Sequence, residues 1–114
     1  MNLVQLKKIL DETGYPVTYS HFTPTDNNPV PDPPYICYWT PYSSHYIADN
    51  EVYQKIENVQ IELYTLKKDL TAESKLESVL DKYGIPYQTT ETFIESENLF
   101  QRIYEARLIL YARK

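Results

Sequence analysis

Two histidines, His21 and His45, and one cysteine, Cys37, are the side chains best suited to metal binding or nucleophilic chemistry in this chain. Neither histidine has a second His, Cys or acid at a metal-ligand spacing such as His-x₃-His. A helical turn would bring His45 beside Asp49, but no third ligand follows, so a surface histidine is the plainer reading. A Cys37–His21 or Cys37–His45 dyad would need the base held against the thiol, and no local nucleophile signature supports one. Cys37 lies in the apolar run Tyr35-Ile36-Cys37-Tyr38-Trp39, which points to a buried structural thiol. Ser43-Ser44-His45 lacks the glycines of a nucleophile elbow. Gly14 and Gly84 are the only glycines, and each reads as a helix stop. A phosphate loop or dinucleotide fingerprint needs clustered glycines for close backbone approach to phosphate. The acid pairs Asp11/Glu12 and Glu95/Glu97 fall at a helix end and a turn, where solvation is their expected role. The expectation is a protein that is not an enzyme, with no catalytic, cofactor or metal residue.

The elements that would position these residues follow from periodicity. Residues 2–13 place Leu3, Leu6, Ile9 and Leu10 at helical spacing, with Asn2 as cap and Gly14 as stop. Tyr15 to Phe22 alternates like a strand, with Pro16 where a missing donor is tolerated. Residues 23–34 hold five of the eight prolines and read as a stiff polyproline-like loop. Within it Pro31-Asp32-Pro33-Pro34 fits the loose P-x-x-P pattern, although a rigid strap between strands explains it more simply. Tyr35 to Thr40 reads as a short strand closed by Pro41, and residues 42–57 as polar and aromatic. Val59, Ile61 and Leu63 then alternate with Gln60, Glu62 and Tyr64, the clearest strand signal in the chain. A second helix is expected over 72–83, with Thr71 as its cap and an apolar stripe of Leu76, Val79, Leu80 and Tyr83. Pro86 to Ile94 reads as a strand and Glu95 to Asn98 as a turn. Phe100 to Ala112 fits a strand with Tyr104, Ala106, Leu108 and Leu110 on one face. It also fits a helix with Phe100, Ile103, Tyr104, Arg107 and Leu108 aligned. Its β-branched and aromatic content favours the strand.

An internal echo supports this order. Leu6 to Pro16 and Leu76 to Pro86 each spell helix, glycine, one residue, proline, strand. The pattern is either two related α–β units or two independent uses of the same helix-stop chemistry. Both give one α+β domain over residues 1–114, in the order α-β-β-β-α-β-β. Its mostly antiparallel sheet has four or five strands, with both helices on one face. The other face, carrying Glu62, Tyr64, Glu105 and Arg107, is expected to be polar and aromatic.

Composition narrows the function classes. The chain has 114 residues, 42% hydrophobic and 24% charged, a globular balance able to bury one core. Its net charge is −5, and no Lys or Arg occurs between Lys8 and Lys55. Binding to nucleic acid without sequence preference needs cations that displace counterions from phosphates, so this lobe argues against it and against an anionic membrane. Arg102, Arg107, Arg113 and Lys114 interleave with apolar residues and read as a solvated face. No apolar run reaches the length of a membrane helix, and Met1 to Lys8 lacks the apolar centre of a signal peptide. The expected compartment is a reducing cytosol. Tyrosine dominates the aromatics, with 12 Tyr against 3 Phe and 1 Trp, and its ring with a polar tip suits half-buried strands and protein contacts. Tyr35, Tyr38, Tyr46, Tyr64 and Tyr104, with Pro31 and Pro33 of the loop, are the candidate interface residues.

In the order of its features the chain resembles the small tail-completion (tail-terminator) proteins of long-tailed phages and prophages. The resemblance is carried by Tyr46-Ile47-Ala48-Asp49, the strand Val59 to Thr65, the helix to Leu80-Asp81-Lys82-Tyr83-Gly84-Ile85, and the stretch from Glu91 to Leu110. Minor tail and head–tail connector proteins share this size and topology. The resemblance implies a non-enzymatic virion assembly protein without cofactors. It would form a ring, commonly hexameric, on the end of the tail tube. Its partners would be copies of itself, the tail-tube protein and the head connector, first in the host cytoplasm and then in the virion tail. A lobe without cations would suit a lumen through which DNA slides. The alternative is a small non-catalytic protein-binding adaptor of host or phage.

Overall fold

The computed structural model describes residues 2–24, 29–48 and 51–111, with side-chain surroundings described outside 43–48, 51–55 and 109–111. The chain is α+β: α1 (Leu3–Asp11), β1 (Val17–Tyr19), β2 (Tyr35–Ala48), β3 (Glu51–Thr65), α2 (Leu70–Lys82), β4 (Tyr87–Ile94) and β5 (Leu99–Tyr111). The five strands form one sheet in the order β1-β2-β3-β5-β4. All neighbours are antiparallel except β1, which runs parallel to β2. β3 and β4 therefore run the same way on either side of β5, with α2 as the crossover between them.

Local chemistry sets the helix ends. Asn2 and Gln5 form a reciprocal capping box, each side chain 2.9 Å from the other residue's backbone nitrogen, which satisfies two otherwise orphaned donors. Gly14 and Gly84 have φ of +85° and +65°, the left-handed region where a side chain is penalised. After α2 the Ile85 N–H donates to the Leu80 carbonyl at 3.0 Å, closing the last turn. Asp69, not Thr71, caps α2: its side chain accepts from the Ala72 N–H at 3.0 Å. Asp69 is extended while Leu70 and Thr71 are already helical, so the first turn starts earlier than the apolar stripe suggested.

Both helices lie on one face of the sheet. One core cluster joins Leu6, Ile9 and Leu10 of α1 and Leu76 and Leu80 of α2 to Ile36, Val59, Ile61, Leu63, Tyr104 and Leu108 of the central strands. The alternation of β3 thus reaches the core as expected. Residues 99–111 are a strand, fixed by an unbroken ladder to β3 from Thr65↔Phe100 to Gln54↔Tyr111.

Two expectations are corrected. Pro41 does not close β2. It falls in the register shift between Trp39 and Tyr42, beyond the pairing with β1, where a missing N–H removes no ladder bond. Residues 42–48 and 51–57, read only as polar and aromatic, are the far halves of β2 and β3. The strand expected over Tyr15 to Phe22 shrinks to Val17–Tyr19, because only these residues find partners on β2. Its entry is held by the Pro16 carbonyl, which accepts from the Ile36 N–H at 2.8 Å.

The two echoed α–β units flank the sheet, with β1 at one edge and β4 at the other. The helices meet where Lys82 Nζ lies 3.1 Å from Glu12 Oε1 and the Tyr83 hydroxyl donates to the same carboxylate.

Candidate docking surface

The face of the sheet away from the helices holds an aromatic layer around a carboxylate. Register places Cys37, Glu62 and Ile103 in one row, flanked by the row Tyr35, Tyr64, Gln101 and the row Trp39, Gln60, Glu105. The Tyr35 and Tyr64 rings stack at 5.0 Å between centroids, and Phe22 meets Tyr35 edge-on.

Glu62 sits at the centre, only 8% exposed although it faces away from the helices. Its carboxylate accepts three side-chain hydrogen bonds: Tyr64 Oη at 2.8 Å, Gln60 Nε2 at 2.6 Å and Trp39 Nε1 at 3.3 Å. Gln101 Nε2 in turn donates to Tyr64 Oη at 2.9 Å. A buried carboxylate is tolerated only when donors replace water in this way. Burial and the bond to Glu62 together push the Tyr64 phenol well above the usual tyrosine range, so it stays a donor. The network fixes the orientation of Trp39, which is 37% exposed.

Next to this layer a groove of about 450 Å³ crosses the sheet, lined by Tyr42, Gln60, Gln88, Glu105 and Arg107. Tyr42 is 62% exposed. Aromatic rings beside amides and opposite charges suit protein contacts, where a rigid ring loses little entropy on docking.

The structure separates the candidate interface tyrosines. Tyr104 is fully buried beneath α2, donating to Glu77 Oε2 at 2.8 Å and accepting from Arg102 Nε at 3.0 Å. Tyr38 is buried as well, edge-on to Tyr19. Both are core residues, because their register positions fall on the helix side. Tyr35 and Tyr64 are half-buried on the outer face, and Pro31 and Pro33 are half-buried in the loop. The side chain of Tyr46 lies outside the described residues. Sequence reasoning missed Trp39 and Tyr42 as surface rings; the strict alternation of β3, carried across to β2 by the ladder, was the available signal.

The chemical candidates resolve more simply. Burial raises the Cys37 thiol to about 11, with the nearby Glu62 charge adding to the effect; at neutral pH it is protonated and unreactive. His21 is exposed, with Nδ1 3.0 Å from the Ser20 hydroxyl. The His45 backbone pairs with Lys55 in an extended ladder, not in the helical turn that would bring it to Asp49, which lies outside the described residues. Among the described residues no group of three or more His, Cys, Asp or Glu side chains is placed to hold a metal ion. No helix there is long and apolar enough to cross a membrane.

A second polar cluster lies under α2. Lys68 contacts Glu73 at 2.8 Å and Glu91 at 2.7 Å, and Arg102 Nε reaches Glu73 at 3.3 Å and Glu77 at 3.6 Å. These pairs tie α2 to β4 and β5, with three acids sharing two cations. No protein-family model matches the chain, and no curated protein matches it in sequence.

Proposed function

We propose that this chain is a structural, non-enzymatic virion assembly protein, a tail-completion subunit that forms a ring at the end of a phage tail tube. The resemblance set out above motivates the ring. The structural observation that carries the docking reading is the length of the central strands. The ladder of β2, β3 and β5 continues past Val59 and Leu108 to Glu51, Ala48 and Tyr111. This three-stranded extension runs beyond the pairing of both edge strands, since β1 reaches only Tyr38 and β4 only Ala106.

A three-stranded ribbon that outruns its edge strands gains stability by packing on a neighbour. Among the described strands none pairs with β2 on its outer side past Tyr38, which leaves a template for contact between subunits. The absence of Lys and Arg from residue 9 to 54 fits a lumen that DNA crosses without sticking. The exposed Trp39 and Tyr42 beside Glu62 favour a second reading, a small protein-binding adaptor that uses the outer face.

Light scattering of the chain across concentration, alone and with its tail-tube protein, tests the proposal. The expected result is a discrete ring-sized mass, and a ring capping tubes by electron microscopy. A monomer under every condition overturns it and leaves the adaptor reading.

A further inference from the structure

We infer that β4 is a self-docking edge, pairing antiparallel with β4 of a second copy to join two sheets across a twofold axis. β4 is the outermost strand on its side and runs for eight residues, Tyr-Gln-Thr-Thr-Glu-Thr-Phe-Ile. Edge strands are normally guarded by lysine, proline, a bulge or short length. β4 has none of these: its ladder to β5 runs without a register shift from Tyr87↔Ala106 to Ile94↔Leu99. Its one charge, Glu91, is held by Lys68 at 2.7 Å and faces Arg102 at 3.9 Å. The strand is therefore regular in register, has its one charge paired, and is rich in Thr and aromatic residues, the composition that favours pairing.

The side chains select a second copy as the occupant. In the register centred on Thr90, Tyr87 stands opposite Phe93 of the other copy, Gln88 opposite Thr92 and Thr89 opposite Glu91. Each of these pairs is made twice, and none sets like charges together. Phe93 is 42% exposed and already packs on Phe100 at 4.9 Å; the pairing covers it with the Tyr87 ring of the other copy. Moving the centre to Glu91 would set the two glutamates against each other, which disfavours that register. The twofold contact uses β4 alone. It goes beyond the ring reading and leaves the β2–β3–β5 extension free.

A single-cysteine trap tests this on the full chain. Thr90→Cys places two thiols across the axis, at a Cα separation of about 4.5–5.5 Å that a disulfide spans. Cys37 is 3% exposed, so mild oxidation reads the added thiol. Thr90→Cys is expected to form a covalent dimer by itself. Thr92→Cys is expected to cross-link only when mixed with Gln88→Cys. Thr90→Lys sets two cations face to face and is expected to weaken association by about tenfold, with an unchanged circular dichroism spectrum.

If Thr90→Cys stays monomeric under oxidant, or Thr90→Lys associates like the parent, the β4 contact is wrong. A ring that forms while Thr90→Cys stays untrapped under oxidant removes this inference and leaves the proposed function standing. A twofold dimer that traps but never builds a ring does the reverse.

Discussion

The Tyr104 hydroxyl donates to Glu77 Oε2 at 2.8 Å from a fully buried ring. The phenol thus connects the core of the sheet to the ionic cluster under α2, because its oxygen also accepts from Arg102 Nε at 3.0 Å. Burial and the Glu77 bond hold its ionisation far above the ordinary tyrosine range. Tyr104→Phe keeps the ring and removes the bridge, leaving Glu77 and Arg102 each one partner short. The expected loss is about 1–3 kcal/mol in urea unfolding, with Glu77→Gln costing less because an amide oxygen still accepts. An unfolding midpoint unchanged by Tyr104→Phe would show that the bridge adds nothing to stability.

Glu62 gives a sharper test of the outer face. Glu62→Leu leaves the Trp39, Gln60 and Tyr64 donors without their shared acceptor and is expected to cost about 2–4 kcal/mol. Glu62→Gln retains an acceptor but turns one donor against its neighbours, so it should fall between the two. Tryptophan fluorescence reports the loss directly, since Trp39 is the only tryptophan and donates its Nε1–H to Glu62.

The cap of α2 separates two residues that look equally suitable. Asp69→Ala removes the side chain that accepts from Ala72 N–H and is expected to cost about 1 kcal/mol. Thr71→Ala, at an exposed position within the first turn, should change stability by less than about 0.5 kcal/mol. Paired thermal melts compare them; equal losses would contradict the assigned cap.

Alkaline pH should destabilise the fold through Cys37. Its thiol ionises near 9.0 when unfolded and at about 11 when folded. The folded state thus holds the proton more tightly, and the contribution is fully present below pH 9 and lost as pH rises toward 11. Tyr64 and Tyr104, also raised, act in the same direction above the usual tyrosine range. Denaturant midpoints are expected to be level to about pH 9 and then fall, less steeply in Cys37→Ala. At pH 8 a thiol reagent should label Cys37 only at the rate of unfolding; rapid labelling of the native protein would refute the buried assignment.

Much of this protein was legible in one dimension because its signals are local. The caps at Asn2, Gly14 and Gly84 and the alternation of Val59, Ile61 and Leu63 depend on near neighbours, and they determined the order of elements and the fold class. The surface was decided by pairing between distant segments. Tyr104 and Tyr64 have the same residue type and similar sequence surroundings. Register sends one beneath α2 and the other to the outer face, since a strand alternates faces at every residue. Glu62 reads as an exposed charge in sequence. It is buried because β2 and β5 bring Trp39 and Gln101 alongside it and its β3 neighbours Gln60 and Tyr64 turn their donors onto it. The far halves of β2 and β3 carry little apolar alternation of their own, and the ladders from β2 to β3 and from β3 to β5 make them strands. The sequence by itself determined the helices, their stops and the central strand. The tertiary structure alone decided which tyrosines are core, which carboxylate is buried and which edges are left open, because those properties belong to contacts between segments far apart in the chain.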